Sequence, residues 1–137
     1  MALDRWAEVA KTREEEIRAK VRRYVLERCR HADVVLFGSR SRGEHHALSD
    51  WGIAVITPAG NYAVEQEEFG QAVFLPLSAL DELLASSMLI LDIVHDGILL
   101  CGRGDNWDVL LKKARSYIHR RGLVRTNLGW FPINSST

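Results

Sequence analysis

Between residues 38 and 50 the chain concentrates side chains suited to holding a phosphate. Gly38-Ser39-Arg40-Ser41-Arg42-Gly43 joins a turn-forming residue to hydroxyls and two guanidinium groups, and Asp50 follows. Gly38 has no Cβ, so its backbone turns sharply and neighbouring N–H groups can approach an anion. Ser39 adds a hydroxyl, and Arg40 and Arg42 offer planar forks that match phosphate oxygens. Asp50 supplies a carboxylate, the ligand type that a hard metal ion such as Mg²⁺ takes. Apolar runs on either side, Val34-Val35-Leu36-Phe37 and Ile53-Ala54-Val55-Ile56, give the order strand, phosphate-binding turn, strand. The alternative reading is a solvated loop with Asp50 as a turn or helix cap after Ser49.

The spacing carries a resemblance. Gly38-Ser39, ten residues from Arg40 to Ser49, and then Asp50-Trp51-Gly52 resemble the Gly-Ser, ten residues, Asp-x-Asp signature of minimal nucleotidyltransferases of the polymerase-beta-like superfamily. The resemblance implies an α/β (α+β) fold, a small mixed β-sheet backed by helices on one face. It also implies Mg²⁺-dependent transfer of a nucleoside monophosphate from a nucleoside triphosphate to a hydroxyl on a protein, RNA or small molecule. Gly38 and Ser39 would hold the triphosphate, Arg40 and Arg42 would assist, and Asp50 would be the catalytic, metal-binding carboxylate. The chain departs from the pattern at Gly52, which stands at the second aspartate, and at Ala72-Val73-Phe74-Leu75, a strand that lacks the third carboxylate.

That departure matters because nucleotidyl transfer depends on positioned phosphates and on metal ions that neutralise charge. Two carboxylates two residues apart on a strand face the same way and share one metal cluster. With Asp50 alone, one Mg²⁺ can still bind when the nucleotide supplies the other oxygens. Nucleotide binding is therefore expected to be more robust than turnover. Small members of this family resemble the antitoxin halves of two-gene modules, so the competing expectation is a degenerate transferase that binds a helical, toxin-like nuclease or forms a homo-oligomer.

Eighteen basic and eighteen acidic residues cancel, so any preference for nucleic acid must come from a local patch. No apolar run reaches the ~18 residues of a membrane span, and the expectation is a soluble cytoplasmic protein without membrane contact, residues 1–137 forming one nucleotidyltransferase-like domain. Cys29 and Cys101 read as small core residues rather than a disulfide.

The elements that must position the site follow from periodicity. Residues 4–30 have helical spacing, as one helix or as two divided at the Thr12-x-x-Glu15 capping box. Tyr62 to Glu68 reads as a short acidic turn of helix, Gln71 to Leu77 as a buried strand, and Ser78 as the cap of a helix to Ala85. Residues 86–95 read as helix and Ile98–Cys101 as a short strand. Asp105 or Asn106 caps a last helix that Gly122 ends, and Leu123 to Thr137 shows no clear period.

Other residues have plainer readings beside chemical ones. His45 and His46 fit an exposed loop better than a metal pair, since adjacent side chains diverge and no third ligand stands nearby. Glu67 and Glu68 fit a solvated edge or a substitute carboxylate. Trp51 alternates away from Asp50 and packs. Lys112, Lys113, Arg115, Arg120, Arg121 and Arg125 form a run without an acid, suited to RNA, an acidic partner, the triphosphate, or a solvated helix face.

Overall fold

The computed structural model describes residues 2–45 and 49–133. No glycine or proline interrupts the chain before Gly38, and Ala2–Arg28 form one continuous helix, α1. The capping box at Thr12 is not used, because nothing after it breaks the helix. Val21 and Val25 are buried from α1, with Ile17 and Tyr24 packed beside them, whereas Trp6 and Val9 of its first turns are exposed.

Five strands form a mixed sheet in the order β3-β4-β2-β1-β5. They are β1 (Asp33–Phe37), β2 (Trp51–Thr57), β3 (Ala63–Glu67), β4 (Gly70–Pro76) and β5 (Ile98–Cys101). β2 pairs parallel with β4, and the other three pairings are antiparallel. The central strands are apolar at nearly every position because both faces are covered. Val34, Ile53, Val55 and Ala72 face α1; Val35, Phe37, Ala54, Ile56, Val73 and Leu75 join a second cluster with α3 (Leu80–Ser86), α4 (Met88–Asp96) and α5 (Asp105–Arg121). Helices thus lie on both faces of the sheet rather than on one.

Several expectations need correction. Residues 63–67 are an edge strand, not a helical turn; Glu65 and Glu67 hid it, since an edge strand exposed to water tolerates charge. A short 3₁₀ turn, Leu77–Ala79, precedes α3, and Ser78 makes no capping bond. Gly104 occupies the position before α5, and its missing cap side chain is replaced from afar. The buried carboxylate of Asp33 accepts the N–H groups of Gly104 and Trp107, each at 2.9 Å. Residues 123–132 form a hairpin, β6 (Leu123–Thr126) and β7 (Gly129–Pro132), that buries Trp130.

The cysteines are not separate core residues. Cys29, just past α1, and Cys101 at the end of β5 form a disulfide with Cα atoms 5.6 Å apart. Residues 72 apart in sequence are joined, a relationship no local pattern displays. Among the described residues no helix is long and apolar enough to cross a membrane.

Candidate functional site

Register brings the two halves of the 38–50 stretch together. Phe37, the last residue of β1, pairs with Gly52 near the start of β2, so the Gly38 turn and the Asp50 carboxylate lie at the same end of adjacent strands. Gly38 has φ 85° and ψ −160°, a conformation open to glycine. Its carbonyl accepts the N–H of Ser41 at 3.1 Å and the Ser41 hydroxyl at 2.6 Å, which starts the one-turn helix α2 (Ser39–Arg42). A Cβ at Gly38 would meet nothing within 4 Å, so the turn is open on that side. Ser39 is half-buried beside it.

Asp50 is exposed, and its position is set by the strand it introduces. The N–H of Trp51 donates to the Phe69 carbonyl at 2.8 Å. Gly70 then passes so close that a Cβ there would lie 2.4 Å from the Trp51 carbonyl oxygen. Among the described residues Asp50 has no hydrogen-bond or ion-pair partner, which leaves its oxygens available to a ligand.

The two arginines differ sharply. The Arg40 side chain is buried and donates to the Ser49 carbonyl through Nε at 3.2 Å and Nη2 at 2.9 Å, and to Glu14 Oε1 through Nη1 at 3.1 Å. Its guanidinium also lies 4.4 Å from the centre of the Trp51 ring. Arg40 therefore ties α1, α2 and the residue before Asp50 together. That hydrogen bond, with Arg18 adding to it, holds the Glu14 carboxyl below the usual carboxylate range. Trp51 is buried under Arg40, in the packing role its alternation indicated.

Arg42 is more accessible and belongs to a second network. Its Nη1 donates to Asp96 Oδ2 at 2.6 Å and its Nε to Glu44 at 3.2 Å. Arg125 reaches the other Asp96 oxygen at 3.2 Å and Asp92 at 3.4 Å, and the Trp130 indole N–H donates to Asp92 at 2.9 Å. Burial opposes ionisation of Asp96, yet hydrogen bonds from His95 and Arg42 and the charge of Arg125 outweigh it, and the carboxyl lies below the usual carboxylate range. Arg125 thus leaves the cationic run to which its sequence position assigned it. Sequence reading missed Asp96 and Glu14 because their partners lie far away in the chain.

The metal-binding side of the signature is incomplete in space as well as in sequence. A Cβ at Gly52 would lie 2.9 Å from Cε2 and Cζ of the Phe37 ring and 2.9 Å from its carbonyl oxygen. Phe37 fills the place of the missing side chain. Glu68 pairs with Lys20, and Glu67 lies on β3 opposite Gly70. His45 is exposed, and His46 lies outside the described residues. Among the described residues no group of three His, Cys, Asp or Glu side chains could hold a metal ion. The donor set does not fit a two-metal centre.

Residues 15–96, more than half of the chain, match the family described as nucleotidyltransferase domain. Among solved structures, one described as a toxin-antitoxin with AMP-PNP aligns at 22% identity over 66% of this chain and 77% of that chain, with a TM-score of 0.46. No curated protein matches the chain.

Proposed function

Because this chain belongs to the nucleotidyltransferase domain family, we propose that it binds a nucleoside triphosphate at the Gly38 turn and turns it over slowly or not at all. The observation that carries the reading is the Phe37 ring beside Gly52, which occupies the place of a second carboxylate. Gly38 and Ser39 would meet the phosphates, and Asp50 would be the residue that holds a Mg²⁺, which would supply neutralisation of phosphate charge. Arg42, anchored by Asp96, is the arginine that a phosphate can recruit. Arg40 holds the loop from beneath.

The test is calorimetric titration of ATP with Mg²⁺ into the wild-type chain and Asp50→Ala, with pyrophosphate release followed in parallel. Metal-dependent binding that falls about tenfold in Asp50→Ala, with little pyrophosphate, is the expected result. Binding indifferent to both metal and Asp50 would remove the site, and rapid pyrophosphate release by wild type would replace the binding reading with an enzymatic one.

A second reading, a degenerate transferase that serves as a protein-binding partner in the manner of an antitoxin, draws support from the hairpin. Val124 and Leu128 are exposed on it, Leu128 at 87%, as is Ile133 just after its last strand. A stable complex with an adjacent-encoded helical protein, lost in Leu128→Asp, is its expected signature; co-expression that yields no complex removes it.

A further inference from the structure

A groove between α3 and α5 gathers positive charge that the nucleotide site does not use. It has a volume of about 560 Å³, and Lys112, Lys113, Arg120 and Arg121 line it with Tyr117. Asp81 is the one acid in the lining; its side chain is 90% exposed and its oxygen lies 3.9 Å from Lys113 Nζ. Among the described residues, no carboxylate pairs with Lys112, Arg120 or Arg121. A chain of zero net charge therefore concentrates four cations on one wall. α5 lies beyond residues 15–96, the segment that matches the family.

The arrangement along α5 is regular. Lys112 and Lys113, then Ser116 and Tyr117, then Arg120 and Arg121 recur at four-residue spacing and so form one stripe about 12 Å long. A nucleic acid strand presents a phosphate about every 3.4 Å when stacked, so several fall within that length. Tyr117 sits midway between the cationic pairs, half-buried against the core, with the Arg121 guanidinium 5.3 Å from its ring centre. Cations that track a backbone beside an aromatic face that stacks on a base are the two components of sequence-tolerant single-strand binding.

We propose that this groove binds single-stranded nucleic acid, with Lys112, Lys113, Arg120 and Arg121 on phosphates and Tyr117 against a base. The site is independent of nucleotide binding at Gly38. An acidic protein would also meet the cations, but it carries no planar base to lie against Tyr117.

Fluorescence anisotropy with a labelled mixed-sequence 12-nucleotide RNA tests the proposal on the full chain. Affinity is expected to fall with salt at a log–log slope of roughly −2 to −3, from about −0.7 per neutralised phosphate. Lys112→Glu combined with Arg120→Glu, both solvent-facing, should weaken binding at least tenfold and flatten that slope, with an unchanged circular dichroism spectrum. Tyr117→Leu, which preserves apolar packing, should weaken binding severalfold without changing the slope. Absence of RNA binding overturns the proposal. So does poly-glutamate binding as tightly as RNA with Tyr117→Leu without effect, the result an acidic-protein site gives.

Discussion

Arg40 and Glu14 join across the outer edge of the site, guanidinium Nη1 to carboxylate Oε1 at 3.1 Å, with the Arg40 side chain 2% exposed. After loss of Arg40, Glu14 would keep solvent and the Arg18 guanidinium at 3.3 Å, so the larger loss is on the Arg40 side. Arg40→Ala is expected to destabilise the fold by removing its two hydrogen bonds to the Ser49 carbonyl and its packing on the Trp51 ring. Arg40→Lys should cost nearly as much, since an ammonium cannot serve Glu14, the Ser49 carbonyl and the Trp51 face together. Urea unfolding checks this. If Arg40→Lys unfolds at the wild-type midpoint while nucleotide binding falls, Arg40 is a phosphate ligand instead of a clamp.

Gly52 has no room to gain a side chain. Gly52→Ala pushes on both the Phe37 ring and the Phe37 carbonyl, and overpacking of this kind costs about 1–3 kcal/mol. Gly52→Asp adds a charge at a buried position and should destabilise further rather than rebuild a metal centre. Thermal melts of the two variants, with Mg²⁺ and without, provide the measurement. A Gly52→Asp chain as stable as wild type, and stabilised by Mg²⁺, would show that the ring moves aside.

Asp96 links the site to acid sensitivity. Its carboxyl is lowered in the fold, so the folded state favours the ionised form. The associated stability is fully present above the unfolded value of about 3.9 and is lost as pH falls through the lowered folded value. Asp96→Asn should be about 2 kcal/mol less stable at neutral pH, and the gap between variant and wild type should close below pH 4. Unfolding free energies measured from pH 7 to pH 2.5 decide; a gap of constant size across that range refutes the linkage.

The Cys29–Cys101 bond closes a long loop. With a separation of 72 residues, the chain-entropy relation assigns it about 4 kcal/mol, as an upper figure. Reduction should therefore lower the urea midpoint clearly, and Cys29→Ser should match the reduced wild type. Two thiols titrating in the native chain under oxidising conditions would contradict the bond.

Asp33 caps α5 from a strand. Asp33→Ala removes the acceptor for both Gly104 and Trp107 and should cost about 2 kcal/mol. Asp33→Asn keeps one acceptor and should recover part of the loss. Hydrogen exchange at Trp107 reads the effect directly, and an unchanged protection factor there would count against the cap.

What could be read before the fold was known depended on whether a signal was local. Trp107, Leu110 and Ala114 repeat on one face, and Gly122 ends α5 at φ 60°, so that helix announced itself. The Gly38 to Asp50 spacing was likewise a short-range pattern. β3 was hidden by its glutamates, and the β6–β7 hairpin by a turn at Asn127-Leu128 that lacks the usual glycine. Phe37 and Gly52 have meaning only as a pair, and their pairing depends on strand register. Arg42 and Asp96 stand 54 residues apart, and nothing near either one names the other.

The uneven burial of α1 has a consequence for its local dynamics. Its 27 residues span about 40 Å, but inter-element packing begins near Glu14 and Ile17, while Trp6 and Val9 remain 66% and 56% exposed. Beyond the packed portion, helical order rests on intrinsic propensity, which sustains a short isolated helix poorly. Amide exchange along this one helix should therefore be graded, approaching the global rate near Val21 and Val25 and accelerating steadily toward Trp6. A single rod in outline thus behaves as an anchored half and a fraying half, with Trp6 as a natural optical probe of the loose end.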